Sequence, residues 1–284
     1  MIRVATLFHV THMVVDMEAA TAFYRDRLGA TTYSLRYAEW EGRDACFNFL
    51  AELCLETVCP RVAELPAGRF VRRYGQDLHS LAWTIEGDFH EAVAFCQGKG
   101  YQVVVPLEGY FFVHPRDAFG IMLEISTAAV RRDPRVTPGW YERWRHEHPL
   151  GVLWTNATTF IVRDLDGAIS FLQGLTEAPL LGRAAAEGRE RAFLWVTDHA
   201  IELLRPLRDD VPEARYLQEK GPKIYSITFR VRDLERAARY LTGQGLHLLE
   251  HHRGHLLIDP AQSLGARLLF TEEAIPDDPR LSRS

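Results

Sequence analysis

Cysteine is scarce in this chain, 4 residues in 284, and Cys46, Cys54, Cys59 and Cys96 form no CxxC pair. That argues against a disulfide framework and against a CxxC zinc or redox site, and favours reduced thiols in a cytoplasmic protein. Long apolar runs are missing too. The longest are strand-length, far short of the ~20 residues that span a membrane. Neither sign of charge dominates: 33 Lys and Arg face 38 Asp and Glu, for a net charge of −5, which argues against nucleic acid as a partner. No Gly-rich phosphate loop precedes a helix and no G-x-S-x-G elbow occurs. The opening MIRVATLFHV lacks a signal peptide's apolar stretch and cleavage site, and reads as a first strand. What remains is a composition 47% hydrophobic and 25% charged, that of a globular protein. The length suits two domains or one large one.

Against these absences stands a repeat. Four times an aspartate is followed seven residues later by an aromatic residue in an amphipathic helix: Asp16/Phe23, Asp88/Phe95, Asp164/Phe171 and Asp233/Tyr240. Each aspartate suits a helix N-cap. An apolar strand precedes each helix and three strand-like runs follow, so the unit is β-α-β-β-β. The first helix stops at Gly29, a C-terminal signal. The predicted class is α+β, with modules over residues 1–60, 75–130, 151–206 and 222–275. Residues 1–130 form a front domain, 131–150 an aromatic- and Arg-rich linker packed as a strap, and 151–275 a back domain. Residues 206–221 read as a polar excursion, and the tail after Pro276 as mobile.

Strand alternation selects the residues that face inward. In ELCLETV, Leu53 and Leu55 pack on the helix while Glu52, Cys54 and Glu56 face the other way. In GIMLEIS, Ile121, Leu123 and Ile125 pack while Met122, Glu124 and Ser126 oppose them. His9 lies in the middle of strand one and His79 opens the corresponding strand of module two. His9, Glu56, His79 and Glu124 would converge if modules one and two close on each other. The back half carries Ala157, Glu202, Ser226 and Leu269 in those slots, so the ligand set survives in the front half alone. His12 is out of phase with His9 and reads as a buried structural residue. Asp198, His199 and Glu202 read as a remnant site. His251, His252 and His255 read as an exposed hairpin tip. Trp83, Tyr110 and Phe112 line either a pocket or the core.

With these residues in hand, the chain resembles the vicinal oxygen chelate superfamily, which includes glyoxalase I, methylmalonyl-CoA epimerase, extradiol dioxygenases and bleomycin and fosfomycin resistance proteins. HVTHMVVDMEAATAFYRDRLGA is similar to the family's opening pattern, and HPRDAFGIMLE (114–124) to the closing pattern of epimerase-type members. The resemblance implies two glyoxalase-like domains with curved, half-barrel mixed sheets. It also implies His9, Glu56, His79 and Glu124 as ligands of one divalent ion (Fe2+, Zn2+, Ni2+, Co2+ or Mn2+), an N/O donor set. Open coordination positions suit a small-molecule substrate with oxygens on adjacent carbons, and the ion stabilises an enolate-type intermediate. Glu124, by detaching, and His114, ten residues before it, are the candidate proton-transfer groups; His114 reads equally well as the cap of its His-Pro turn. Isomerase, epimerase or lyase chemistry is the first expectation. An Fe(II)-dependent dioxygenase acting on a catechol or 2-oxoacid-like substrate is the second, and a ligand-sequestering resistance protein the third. Homodimerisation through the back half is left open.

Overall fold

A computed structural model describes residues 1–34, 39, 41–130, 133–251 and 254–283 of the protein. The four aspartates act as the repeat predicts. The side chains of Asp16, Asp88, Asp164 and Asp233 accept hydrogen bonds from Ala19, Glu91, Gly167 and Arg236 N–H at 2.8–3.0 Å. Each cap satisfies an orphan donor at a helix start, worth about 1 kcal/mol.

The front half runs β1 (Arg3–Met13), α1 (Met17–Ala22, continued by a π turn Phe23–Arg27), β2 (Thr31–Ser34), β3 (Arg43–Leu50), β4 (Leu53–Pro60), α2 (Pro66–Tyr74), β5 (Asp77–Glu86), α3 (Phe89–Gly98), β6 (Val103–Leu107), β7 (Tyr110–Val113) and β8 (Leu123–Ser126). After a strap containing the short helix α4 (Trp140–Glu142), the back half repeats the order. Its elements are β9 (Val152–Ile161), α5 (Leu165–Thr176), β10 (Leu180–Ala186), β11 (Arg189–Val196), β12 (His199–Pro206), α6 (Pro212–Lys220), β13 (Lys223–Val231), α7 (Leu234–Gly243), β14 (Leu248–His251), β15 (His255–Ile258) and β16 (Leu268–Thr271).

Each half forms one eight-stranded mixed sheet, ordered β2-β3-β4-β1-β5-β8-β7-β6 and β10-β11-β12-β9-β13-β16-β15-β14. The two modules of a half meet where their first strands pair antiparallel, β1 with β5 and β9 with β13. The fourth strand of each module lies parallel beside its first. Each sheet is therefore a curved, open cup lined by the central strands. Module one pairs with module two, as the distribution of His and Glu requires. The helical faces of both sheets share one hydrophobic core that includes Val10, Leu81, Trp83, Phe111, Phe160, Phe229 and Phe270.

Two sequence expectations change. The stretch 206–221 contains α6, and α2 is its front-half twin. Both have Pro in the first turn and a positive-φ Gly after the last residue, Gly75 (φ 75°) and Gly221 (φ 77°). These are the usual brackets of a helix. The tail is ordered by Arg280, whose Nη1 donates to the Thr155 carbonyl at 3.0 Å and which forks onto Asp278. The hairpin tip His252–Arg253 lies outside the described residues. The strap packs as expected: Trp140 and Trp144 are buried, and Trp140 Nε1 donates to the Ala51 carbonyl at 2.7 Å.

The halves meet around a pseudo-two-fold axis. Asp77 and Lys223, the equivalent first residues of β5 and β13, form a buried ion pair of 2.8 Å with each other. The Glu52 side chain accepts from Thr155 N–H, and Asp198, its counterpart, accepts from Leu7 N–H at 3.0 Å. Trp83 Nε1 donates to His199 Nε2 at 3.0 Å, and His199 Nδ1 holds Asp198 at 2.9 Å. Asp198 and His199 are thus an inter-half strut rather than a remnant site, and Trp83 is fully buried core. His12 has the structural role its phase implies. Nε2 donates to the Leu264 carbonyl (2.9 Å), which leaves Nδ1 to accept from Tyr24 O–H (2.8 Å).

Candidate functional site

The first cup carries charge at its floor. His9 on β1, Glu56 on β4 and Glu124 on β8 converge from three of the four central strands, with β5 between β1 and β8. His9 Nε2 lies 3.2 Å from Glu56 Oε2 and 3.6 Å from Glu124 Oε2. All three are largely buried. Burial disfavours the imidazolium, but the two carboxylates overcome it and raise His9 to about 10. Burial likewise opposes the Glu56 anion, and Arg43 together with His9 overrides it and brings Glu56 down to about 2. An opposite charge at this range in a poorly hydrated site outweighs desolvation.

A second group of residues holds Glu56 and was not evident from sequence. Arg43 Nη1 on β3 binds Glu56 Oε1 at 3.1 Å, and its Nε pairs with Glu41. Tyr110 O–H on β7 donates to Glu41 Oε1 at 2.8 Å. The chain Tyr110–Glu41–Arg43–Glu56–His9–Glu124 thus links β7, β3, β4, β1 and β8. Phe8 and Phe47 pack on the His9 ring, with centroids 4.6 and 5.9 Å away. Arg43 is the alternation partner of Ala45 and Phe47 on β3. That phase was available in the sequence; its link to Glu56 across β3 and β4 was not.

His79 does not join this cluster, and the register gives the reason. Glu56 pairs with Thr11 and Glu124 with Ala82. The residue two before each partner is His9 in β1 and Ser80 in β5. Ser80, not His79, therefore occupies the slot equivalent to His9. His79 is the extra residue of a β-bulge, since Thr11 pairs with Ser80 and His12 with Leu78. A bulge shifts the side-chain phase by one residue. The His79 ring packs edge-on against Phe70 of α2 at 4.7 Å, and its Nδ1 lies 2.9 Å from Ser80 Oγ. Burial and then Lys223 lower its pKa to about 3. The same bulge recurs in β13, where Tyr225 packs on Tyr216 of α6 at 4.8 Å. His114 caps its own turn: Nδ1 accepts from Arg116 N–H at 3.2 Å.

The equivalent slots of the second cup hold Ala157, Glu202, Ser226 and Leu269. Glu202 Oε2 accepts from the Thr159 hydroxyl at 2.6 Å, and Arg191 Nε stands 3.4 Å from Oε1.

The first cup's donors suit a divalent ion in kind. One imidazole and two carboxylates form an N/O set for the borderline first-row metals. Nδ1 of His9 is buried without a hydrogen-bond partner among the described residues, while Nε2 is ion-paired with Glu56 and Glu124. As the side chains stand, no three His, Cys, Asp or Glu residues among those described form a ready metal cage. The carboxylates close on the protonated imidazole instead.

Residues 158–256 match the family model described as the Glyoxalase/Bleomycin resistance protein/Dioxygenase superfamily. Over its whole length the chain has the fold of a 4-hydroxymandelate synthase mutant from Streptomyces coelicolor (14% identity, 96% of this chain and 95% of that one, TM-score 0.74). The 2,3-dioxygenase LapB from Pseudomonas sp. KL28 shares that fold (12% identity, 98% and 95%, TM-score 0.65). A methylmalonyl-CoA epimerase from Mycobacterium tuberculosis aligns with 47% of this chain and 93% of its own (26% identity, TM-score 0.41). Among curated proteins none matches by sequence.

Proposed function

We propose that this chain, which belongs to the glyoxalase/bleomycin resistance/dioxygenase superfamily, is a metal-dependent enzyme whose site is the first cup. The observation that carries the proposal is the buried convergence of His9, Glu56 and Glu124. Two carboxylates aimed at one imidazole stabilise one added positive charge. A divalent ion is the cofactor that uses the same field with the imidazole neutral. His9, Glu56 and Glu124 are its proposed ligands, and Ser80 stands in the fourth slot.

When bound, such an ion supplies Lewis acidity to a small substrate bearing oxygens on adjacent carbons. The chain's own residues do the rest. Arg43 fixes Glu56 through one carboxylate oxygen and leaves the other directed at His9. Tyr110 and Glu41 hold Arg43 in turn. Supporting contacts of this kind commonly change metal affinity or activity by about 10–100-fold. Among the described residues no arginine is ion-paired with Glu124, which leaves it the carboxylate freer to move a proton at the substrate carbon. Phe8 and Phe47 exclude water beside His9.

Isomerase, epimerase or lyase chemistry follows from this arrangement. The second reading is an Fe(II)-dependent dioxygenase. Its support is the whole-chain, two-cup architecture shared with enzymes named as a synthase and a dioxygenase. Against it, the cluster offers one imidazole and two carboxylates rather than the facial set of two imidazoles and one carboxylate.

Metal content after anaerobic purification tests the proposal, with His9→Ala and His79→Ala alongside. One equivalent is expected in the wild type and in His79→Ala, and none in His9→Ala. Retention of metal in His9→Ala would overturn the ligand set. Iron as the bound metal, with oxygen uptake on catechols or 2-oxoacids, would select the dioxygenase reading.

A further inference from the structure

The cluster in the first cup is nearly closed to solvent. The side chains of His9, Glu56 and Glu124 are 3%, 8% and 12% exposed, so a small molecule reaches them only if the cup opens. The place where the sheet closes on itself is identifiable. Tyr110 begins β7, and Glu41 stands in the turn before β3. In the sheet, β4, β1, β5 and β8 lie between β3 and β7. Five strand spacings measure roughly 24 Å in a flat sheet. The Tyr110 hydroxyl nevertheless donates to Glu41 Oε1 at 2.8 Å, so the curvature of the sheet brings its two wings together there.

The bonds on either side of that junction are unequal. Glu41 also pairs with Arg43 Nε, and Arg43 Nη1 pairs with Glu56 Oε1 at 3.1 Å. Glu41, Arg43 and Glu56 all belong to module one, whereas Tyr110 belongs to module two. Parting the wings at Tyr110 therefore breaks a hydrogen bond and leaves these ion pairs intact. The second cup marks the same boundary. Its residues in register with Glu41 and Tyr110 are Glu187 and His255. Both line its cavity of about 280 Å³, together with Asn156 and Ala157 in the places of Phe8 and His9. The space within a cup thus extends to these two positions.

We propose that the Tyr110–Glu41 hydrogen bond is the gate of the first cup. It holds the wings shut around His9, Glu56 and Glu124, and it opens to admit a metal ion or a small substrate. The inference rests on the reading of the first cup as the site. A hydrogen bond to a carboxylate weights the closed form over the open one by roughly 10- to 100-fold. Arg43 adjoins the gate and stays on Glu56 when it opens, so that carboxylate keeps its place as the wings part.

Phenylglyoxal labelling of the metal-free, full-length protein tests the gate, with modified arginines located by peptide mass spectrometry. Arg43, whose side chain is 20% exposed, reports on opening. The exposed Arg72 on α2 is the internal control. Tyr110→Phe keeps the ring and removes the hydroxyl. It should raise the labelling rate of Arg43 about tenfold and leave that of Arg72 unchanged. An unaltered rate at Arg43, or an equal rise at both arginines, would overturn the proposal. Cobalt(II) uptake, followed by visible absorption, is the second measurement. Its association rate constant should also rise about tenfold in Tyr110→Phe. A hydroxyl that merely steadied Glu56 through Glu41 and Arg43 would change cobalt release and not uptake, and that result would also overturn the gate. A protein that takes up no cobalt would count against the metal ligands instead, and the labelling would still decide the gate.

Discussion

In the first cup, Phe8, His9 and Phe47 crowd over β1, and two carboxylates and an arginine close on the imidazole. At the equivalent places of the second cup, Asn156, Ala157 and Phe193 border a void, and Glu202 leans on a threonine and an arginine. The two frames share strand order, register and even their bulges. The difference lies in two adjacent residues of the first strand and one of the last, where Glu124 becomes Leu269. Backbone geometry alone therefore does not set the chemistry of a cup. The same curved sheet serves as a charged cluster or as a cavity according to which side chains stand at the crossing of β1, β4 and β8, or of β9, β12 and β16.

The arginines sharpen this contrast most. Arg43 in the first cup is shared by Glu41 and Glu56, whereas Arg189, its counterpart, depends on Glu213, and both are almost wholly buried. Glu213→Gln should cost about 3–5 kcal/mol, since it leaves a buried guanidinium without a counter-ion. Glu41→Gln should cost less because Glu56 remains. Urea unfolding of the two variants measures both, and equal losses would break the comparison.

Acid should distinguish the halves next. His12 is lowered to about 4, by burial first, and His79 to about 3. The back half has Phe160 and Tyr225 in those places. A histidine whose folded pKa lies below its unfolded value of ~6.5 leaves stability intact above that value, and stability falls as the pH drops through the window below it. From His12 alone the loss is about 2 kcal/mol by pH 5. Hydrogen exchange at pH 7 and pH 5 should show β1, β5 and α1 losing protection before β9, β13 and α5. Uniform loss would count against this account.

The smallest effect should be symmetric. Asp16→Ala and Asp164→Ala each remove an N-cap hydrogen bond and should each cost about 1 kcal/mol. Thermal melts that differed widely between the two would show that the repeat units are not equivalent even in their local structure.

Much of this was legible in the chain. The aspartates gave the helix starts, alternation in ELCLETV and GIMLEIS gave the inward carboxylates, and His9 followed from the phase of strand one. The place of His79 was not legible. One inserted bulge residue moves every side chain before it out of phase, and LHSLAWTIEGD is read equally well with or without it. The helix α6 was hidden by its polar composition, although Pro212 and Gly221 bracket it as Pro66 and Gly75 bracket α2. The Arg43–Glu41–Tyr110 chain joins β3, β7 and the turn before β3, and no local pattern links them.

The sequence by itself determined the four-fold repeat and the β-α-β-β-β order within it. Caps, periods and turn residues act within a few residues, so they are written locally. The tertiary structure alone decided that Ser80 rather than His79 occupies the slot equivalent to His9, that Asp198 and His199 tie the halves together, and that Asn156 and Ala157 border a cavity. Each depends on which residue of a distant strand lies opposite. Pairing across the sheet and across the pseudo-two-fold axis sets that, by the requirement that buried backbone and side-chain polar groups find partners.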